Sequence, residues 1–325
     1  MAQPWLHNDV IVNIIGYLND KNKISLLSTN MLLHKMKNKI IYHDQVNLNK
    51  IQHLWYIDQI INIFVSSEST LSYKIPKNVT NVTITNIYMN YNIYSQHSIK
   101  HLTFEVSIFY TIVGIPPNVT HLAFEQYFDA EIKNHIPNSV THLTFKDCNT
   151  RSIINSIPLN VTHLVLGINV HPYSIKDCIP TGVTHLTLYG SITDLLGHIP
   201  TSVTHLILGK FNYDIQGCIP PSVIHLTFGK NFNQDIQDYI PPSVTHLTFG
   251  ENFNQDIRDC SLSNVTHLTF GRRFNQYVQG CIPSNVTHLT FKRPFDQYIV
   301  NTIPSNVTHL TFTDREFYFN EIMSK

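Results

Sequence analysis

The polar and apolar residues of this chain follow a pattern that repeats every 20 to 22 residues. Its most regular part is the phrase Val-Thr-His-Leu-Thr-Phe, as at 244–249 and 265–270. Within the phrase, Leu and Phe alternate with His and Thr, which is typical of a strand with one buried face. The pattern predicts one β-strand per repeat, with Leu and Phe pointing inward and His and Thr outward.

The remainder of each repeat is predicted to wind back to the next strand. Ile-Pro followed by Ser, Asn or Gly is turn chemistry before the strand, and Gly229, Gly250 and Gly271 follow the final Phe, where they are expected to end it. Units of this size cannot bury their apolar faces alone, so they stack, and equivalent strands pair in parallel. We therefore predict a mainly β solenoid built from coils of about 21 residues. The apolar residues of the unit 240–259 that should face its core are Ile240, Val244, Leu247, Phe249, Phe253 and Ile257.

Composition agrees with this interpretation. The chain has 325 residues, of which 42% are hydrophobic, and alanine, the best helix former, occurs only three times. The net charge is zero, which argues against nucleic-acid binding, and no apolar run is long enough to span a membrane. The first residues lack the basic segment and the apolar segment that form a secretory signal, so we expect a reducing, cytoplasmic environment.

Two recurring motifs have alternative explanations. Asn-x-Thr sequons, as at Asn78 and Asn264, lie in the turn before a strand, where Ser243 or Gly182 stands in other repeats. We interpret them as turn residues and not as glycosylation sites. Cysteine shares one position with Tyr, His and Thr, and no Cys-x-x-Cys pair exists, so we expect free thiols and no structural metal site. The cysteines at that position are Cys178, Cys218, Cys260 and Cys281.

The first fifty residues follow a different period. Val10, Ile14 and Leu18 have helical spacing after a candidate cap at Asn8, and Ile24 and Leu27 follow a second one. Two or three short helices are predicted. The resulting division is a helical domain at 1–50, a linker helix or further cap at 51–74, the solenoid at 75–313, and a closing tail at 314–325.

Both parts resemble known families. The stretch 6–30, which opens Leu6-His7-Asn8-Asp9 and runs through spaced Ile and Leu residues, resembles an F-box, although His7 stands where that family usually has proline. The repeat, with Phe-Asn-Gln at 232–234, 253–255 and 274–276, resembles the FNIP repeat. The combination is similar to F-box and FNIP-repeat proteins of amoebae and giant DNA viruses. FNIP repeats are related to leucine-rich repeats, whose asparagine position falls here on the variable residues Asn231, Asn252, Arg273 and Pro294.

The resemblance implies a function. An F-box docks on the Skp adaptor of a cullin-type (SCF) ubiquitin ligase while the repeats hold a target protein. No catalytic constellation or cofactor motif is visible, so we expect a binding protein and not an enzyme. An alternative is an interaction scaffold whose helices only cap the solenoid. The residues that match the adaptor-binding positions are Leu6, Val10, Ile14, Leu18, Ile24 and Leu27.

Target recognition is predicted on the turns that follow the strands, because their residues vary while the strand faces repeat. The basic character of the last coils there would suit an acidic protein surface, although a solvated edge of mixed charge is the alternative. The candidate target-binding residues are Lys230, Glu251, Arg272, Arg273, Lys292 and Arg293.

Eleven of the 19 histidines occupy the same outward strand position. Parallel pairing should place successive ones about 4.8 Å apart. We predict a structural ladder of neutral rings that share hydrogen bonds with one another and with adjacent threonines; the alternative is a metal-binding array. Protonating such a row should reduce stability below about pH 6. The residues are His101, His121, His142, His163, His185, His205, His225, His246, His267, His288 and His309.

Overall fold

The predicted parallel solenoid is confirmed. The computed structural model describes residues 8–29, 31–37, 40–51, 53–54, 56–65, 75–85, 98–110, 112, 114–168, 174–190, 192, 195–258, 260–292 and 303–313. Within these ranges, fourteen strands form one sheet in chain order, and each strand pairs with the next in parallel. The tail at 314–325 lies outside the described residues.

The elements follow the division into a helical start and a repetitive array. The helices are α1 (Asn8–Gly16), α2 (Asp20–Ser28), α3 (Met31–His34) and α4 (Leu48–Ile51), with short 3-10 helices at Ile57–Gln59 and Thr150–Ser152. The strands are β1 (Val46–Asn47), β2 (Asn62–Val65), β3 (Asn81–Ile84), β4 (His101–Phe104), β5 (His121–Phe128), β6 (His142–Cys148), β7 (His163–Ile168), β8 (His185–Gly190), β9 (His205–Leu208), β10 (His225–Phe228), β11 (His246–Thr248), β12 (His267–Phe270), β13 (His288–Phe291) and β14 (His309–Phe312).

Side chains on the strands alternate as predicted. Leu247 and Phe249 are buried, and Leu247 lies in register between Leu226 and Leu268 of the neighbouring strands. The other apolar residues predicted to face the core of this unit are buried too. Phenylalanine rings form a stack: Phe249 lies 5.7 Å from Phe228 and 5.7 Å from Phe270, measured between ring centroids. The core is therefore a row of equivalent side chains, one set per coil.

A left-handed residue recurs two positions before the isoleucine of several Ile-Pro steps in the described part of the chain. Asn134, Asp177 and Asp238 have φ of 65°, 58° and 57°, and Gly197 and Gly217 occupy the same place with φ of 74° and 67°. Only Gly, Asn and Asp adopt this conformation at low cost. This explains why the residue before the Cys, His or Tyr of each repeat comes from that small set.

The later coils contain an asparagine ladder, but it lies at a different repeat position from the asparagine ladder of leucine-rich repeats. Asn212 Oδ1 accepts hydrogen bonds from the Asn233 backbone N–H at 2.8 Å and from the Gln234 side-chain amide at 3.0 Å. The same bonds join Asn233 to the next coil, and Asn254 to the one after it. The Phe-Asn-Gln phrase thus links coils through side-chain amides.

The sequons and cysteines behave as turn and packing residues. The side-chain amides of Asn78 and Asn264 each donate to a backbone carbonyl of the preceding coil, at 2.8 and 2.7 Å, and Ser243 Oγ does the same at 2.7 Å. The five cysteines are free thiols. Burial raises the pKa of the Cys148 thiol above its usual range and that of Cys178 to about 12, so both remain protonated.

The sheet begins earlier than residue 75, which corrects the predicted division. β2 lies in the segment 51–74 and pairs with β3, and β1 lies within the first fifty residues and pairs with β2. The helices pack on this end of the sheet, and Ile15, Leu27 and Tyr42 belong to the same hydrophobic core as the coils. The helical part is thus continuous with the solenoid. These first strands were missed because they lack the Thr-His-Leu phrase.

Candidate protein-interaction surfaces

The first candidate surface is the outer side of α1 and α2. Ile14 is 48% exposed and Ile24 37% exposed, as expected for residues that bind a partner, and Leu18 is half-buried. Leu6 and the side chain of Val10 lie outside the described residues. Sequence reasoning missed Tyr17, which is 93% exposed at the end of α1. An apolar surface thus remains on these two helices.

Leu27 requires a correction. It is fully buried in the hydrophobic core, so it holds α2 on the body of the protein and is not accessible to a partner. Helical spacing could not separate these roles, because α2 has apolar residues on its inner and outer sides. Leu27 therefore holds the apolar surface in place and is not part of it.

Polar contacts fix the orientation of α2. The Asn19 side chain accepts from the Asn22 backbone N–H at 2.9 Å and caps the helix. Lys23 Nζ lies 2.8 Å from Asp20 Oδ1, and both side chains are buried. Lys23 also donates to the Ile41 carbonyl oxygen at 3.4 Å. A buried, paired charge of this kind is costly to break, so it fixes where the helix sits.

The second candidate surface is the row of turns that follow the strands, called the rim below. Lys230, Glu251, Arg272 and Arg273 are brought together on successive turns after β10, β11 and β12. The turns stack directly, since the Asn252 backbone N–H donates to Lys230 O at 3.0 Å and that of Arg273 to Glu251 O at 2.9 Å. Lys292 follows β13 and is exposed. Arg293 lies outside the described residues.

The rim carries mixed charge with a basic excess. Lys230 Nζ lies 3.1 Å from Glu251 Oε2, and both groups are solvent-accessible. The hydrogen bond from Lys230, with its charge and those of Arg273 and Arg272, lowers the pKa of the Glu251 carboxyl. Pairs this exposed contribute little to stability. The rim is therefore a solvent-exposed surface.

The histidine row forms the outer face of the sheet. Consecutive rings stack at centroid separations of 4.0 to 4.2 Å, as between His246 and His267 at 4.0 Å. The preceding threonine lies close to Nδ1, with Thr245 Oγ1 2.9 Å from His246 Nδ1. His225 differs, because Ile224 replaces the threonine. Burial, followed by repulsion from His225 and His267, lowers the pKa of His246 to about 4. The threonine contacts match the predicted structural ladder, whereas neighbouring rings contact each other by stacking and not through the predicted hydrogen bonds.

The geometry disfavours a metal array on these histidines. A zinc ion needs ligands about 2 Å away that converge on it. The rings of His185 and His205 are within 14° of parallel, so their outward Nε2 atoms point the same way and do not converge. Among the described residues, no group of three or more His, Cys, Asp or Glu side chains surrounds a metal position. In the same part of the chain, no helix has the length and apolar character needed to cross a membrane.

Comparison with known families identifies the repeats. The FNIP Repeat family matches residues 111–148, 128–169, 211–252, 232–272, 253–293 and 277–315, which together cover just over half of the chain. The chain belongs to the FNIP-repeat family. The matched segments contain the strand phrase and, in the later coils, the Phe-Asn-Gln ladder.

Similar proteins extend this result. The chain is 31% identical over 84 residues to L168 of Acanthamoeba polyphaga mimivirus, which is provisionally named an F-box protein; the match covers 26% of this chain and 40% of L168. Among solved structures, CroV588, described as a novel circular leucine-rich-repeat protein, has a TM-score of 0.58 at 28% identity over 78% of this chain and 43% of its own. LegL7 of Legionella pneumophila, a leucine-rich-repeat protein, has a TM-score of 0.39 at 16% identity over 63% of this chain and 87% of its own. The chain thus spans less than half of L168 and CroV588.

Proposed function

We propose that this FNIP-repeat protein is the substrate-recognition subunit of a cullin-type (SCF) ubiquitin ligase. In this proposal, α1 and α2 bind a Skp-type adaptor and the rim of the solenoid holds a target protein. The protein itself performs no chemistry and acts in the cytoplasm, which is that of the host cell if the chain is viral. The F-box name of L168 and the resemblance of residues 6–30 to an F-box support the proposal.

One observation carries the proposal furthest. A helical unit that only caps a solenoid needs an apolar inner side and a polar outer side. Here the inner side is apolar, with Ile15 and Leu27 fully buried, but Ile14, Tyr17 and Ile24 remain exposed on the outer side. Exposed apolar residues on adjacent helices are typical of a protein-binding surface. A second protein is the simplest reason for them.

The test is binding of a purified Skp-type adaptor to the full-length chain, measured by calorimetry. Ile14→Glu with Ile24→Glu should weaken binding at least tenfold, because a carboxylate would be buried without a partner. The matched control is Leu159→Glu with Leu196→Glu, which makes the same change at two exposed residues of the solenoid. Thermal melts monitored by circular dichroism establish that each variant is folded. Equal loss in both pairs, or no binding by the unaltered chain, would contradict the proposal.

The runner-up is an interaction scaffold without a link to ubiquitin. The segment that follows the helices contacts the first coils closely, which favours this function: Gln45 Nε2 donates to Thr83 Oγ1 at 2.9 Å, and Tyr42 forms a parallel β-bridge with Ile60. A helical unit that only caps the solenoid would make the same contacts. Retention of cullin with the adaptor on the immobilised full-length chain separates the two functions, because the scaffold binds neither.

The target side of the proposal has its own test. Charge reversal of Lys230 and Arg273 to Glu should remove capture of an acidic target while adaptor binding stays unchanged. Lys133→Glu with Lys176→Glu, two exposed lysines away from the rim, is the matched control. If both charge-reversed double variants lose target capture equally, the target does not bind at the rim.

A further inference from the structure

The last residues of β5 and β6 and the segment after β4 form a short parallel ladder. Tyr127 pairs with Asp147, and Phe128 lies between Ile108 and Cys148. Ile108, Phe128 and Cys148 are all buried, so the residues before and after each of them point to the opposite, outer face. Four of these outward residues, called the corner cluster below, are Phe109, Tyr127, Asp129 and Asp147.

Side-chain contacts hold the corner cluster together. The rings of Phe109 and Tyr127 lie 5.9 Å apart between centroids, with an interplanar angle of 56°. The Tyr127 hydroxyl donates to Asp129 Oδ2 at 3.5 Å, and Ser152 Oγ donates to Asp129 Oδ1 at 2.7 Å. Burial, followed by the charge and hydrogen bond of Asp129 and by the charge of Asp147, raises the pKa of Tyr127. Both carboxylates therefore lie close to one phenol ring.

The negative charge of the cluster is not paired with a cation. Lys146, next to Asp147 in the chain, pairs with Glu125 at 2.9 Å, and within the described ranges no ion pair includes Asp129 or Asp147. Asp147 Oδ1 is buried and accepts no hydrogen bond from any described residue. Because water reaches this carboxylate only in part, its charge is incompletely compensated, and a cation placed beside it is stabilised.

Exposed aromatic rings beside these carboxylates favour an organic cation. Phe109 is 55% exposed, and Tyr110 next to it is 72% exposed. Ring faces attract cations and cover the apolar stem that carries them. A guanidinium group fits both features, because it stacks on rings and donates to carboxylates from a planar head. A metal ion fits less well, since no set of three or more ligating side chains surrounds a metal position in the described part of the chain.

We propose that the corner cluster binds an arginine side chain from a basic segment of a partner protein. The guanidinium packs against the ring of Phe109 and donates to the carboxylates of Asp129 and Asp147. The surroundings have the same preference: residues 105–110, 125–131 and 146–152 contain five acidic and two basic residues, so neighbouring basic residues of the segment are attracted too. The site is separate from the helices and from the basic turns of the later coils, and its binding is measured without adaptor or acidic target.

Fluorescence anisotropy of a labelled peptide with the full-length chain tests the proposal. The probe is Gly-Ser-Arg repeated four times, and its counterpart carries citrulline, which has the same shape as arginine without the charge. The arginine peptide should bind, and the citrulline peptide should bind at least about tenfold more weakly. Asp129→Asn with Asp147→Asn should weaken binding of the arginine peptide by a similar factor, because both carboxylate charges are removed. Phe109→Ala should weaken it severalfold through loss of the ring.

Matched variants in later coils separate the site from general attraction between charges. Asp235→Asn with Asp238→Asn removes the same charge from two exposed residues, and Tyr277→Ala removes a ring that is 65% exposed. Both should leave binding within about twofold of the unaltered chain, since charges this exposed are screened by salt. Circular dichroism melts establish that each variant is folded. Absence of binding by the unaltered chain, equal binding of the citrulline peptide, or equal losses in the cluster and control variants would overturn the proposal.

Discussion

In β5 and β6 the main chain stays in the sheet for eight and seven residues, whereas in β10 and β12 it leaves the sheet after four, next to Gly229 and Gly271. In the first region, the backbone ladder runs on past the buried phenylalanines. In the second, the Asn-Gln side chains join the coils after the turn. Two different hydrogen-bond ladders therefore pair the backbone polar groups of stacked coils.

The largest effect should come from the core that both regions share. Phe145 lies 5.0 Å from Phe124 in the first region, and Phe249 lies 3.8 Å from Phe253 in the second, between ring centroids. Replacing either with Ala should lower the free energy of unfolding by about 3 to 5 kcal/mol. Urea unfolding measures both. A loss below about 1 kcal/mol in one region would mean that the core does not continue through it.

The position that follows the buried Phe should require glycine in the second region but not in the first. A Cβ on Gly250 would lie 1.9 Å from the Gly229 carbonyl oxygen, so Gly250→Ala should destabilise the chain by about 1 to 3 kcal/mol through this clash. Lys146 holds the corresponding position in the first region and is exposed, so Lys146→Ala should change stability by less than about 0.5 kcal/mol. Similar unfolding free energies for the two variants would remove the distinction between the regions.

The amide ladder should depend on an acceptor oxygen. Asn254→Ala leaves the Asn275 backbone N–H without its acceptor, while the Gln276 amide loses one acceptor and keeps the Asn254 backbone oxygen at 2.9 Å. The loss should cost about 1 to 3 kcal/mol. Asn254→Asp keeps an oxygen in place and should recover most of that loss in urea unfolding. If Asp is as damaging as Ala, the ladder does not work through Oδ1.

The histidine row crosses both regions and should give the smallest effect for any single residue. Burial, then repulsion from other histidines of the row, lowers the pKa of His142 in the first region and of His246 in the second. The unfolded chain then binds more protons than the folded chain, so stability should be complete above about pH 6.5 and fall as the pH approaches 4.

His246→Asn tests this. Asn81 occupies the same position, and Thr80 Oγ1 lies 2.9 Å from its Oδ1, so asparagine preserves the threonine contact. The variant should match the unaltered chain at pH 7.5 and lose slightly less stability on acidification. Thermal melts between pH 7.5 and 5.5 measure both effects, and flat melting temperatures for the unaltered chain would exclude the histidines as the cause.

The strands and core were readable from the sequence because Leu and Phe alternate with His and Thr in a fixed phrase. The asparagine ladder was missed although its signal was present: Asn233, Asn254 and Asn275 each follow a buried Phe, but their partners lie one coil away. The left-handed turns had a signal too, in a position filled by Asn, Asp or Gly.

The sequence predicted the apolar helices of the candidate site, but it could not show which of their residues face the core and which face solvent. Ile24 and Leu27 have the same helical spacing, yet the first is 37% exposed and the second is fully buried. Burial depends on how α2 lies on the first coils, which is fixed by the Lys23–Asp20 pair and by the bond from Lys23 to the carbonyl oxygen of Ile41, 18 residues further along the chain.

Hydrogen–deuterium exchange measures whether side-chain amides take over from the backbone ladder after β10 to β12. The backbone amides of Asn254 and Asn275, which lie outside the strands, should exchange as slowly as those of the strand residues Leu247 and Leu268. In Asn254→Ala, protection should be lost at Asn275 and retained at the backbone amide of position 254, which donates to Asn233 Oδ1. Rapid exchange at Asn254 and Asn275 in the unaltered chain would contradict the account.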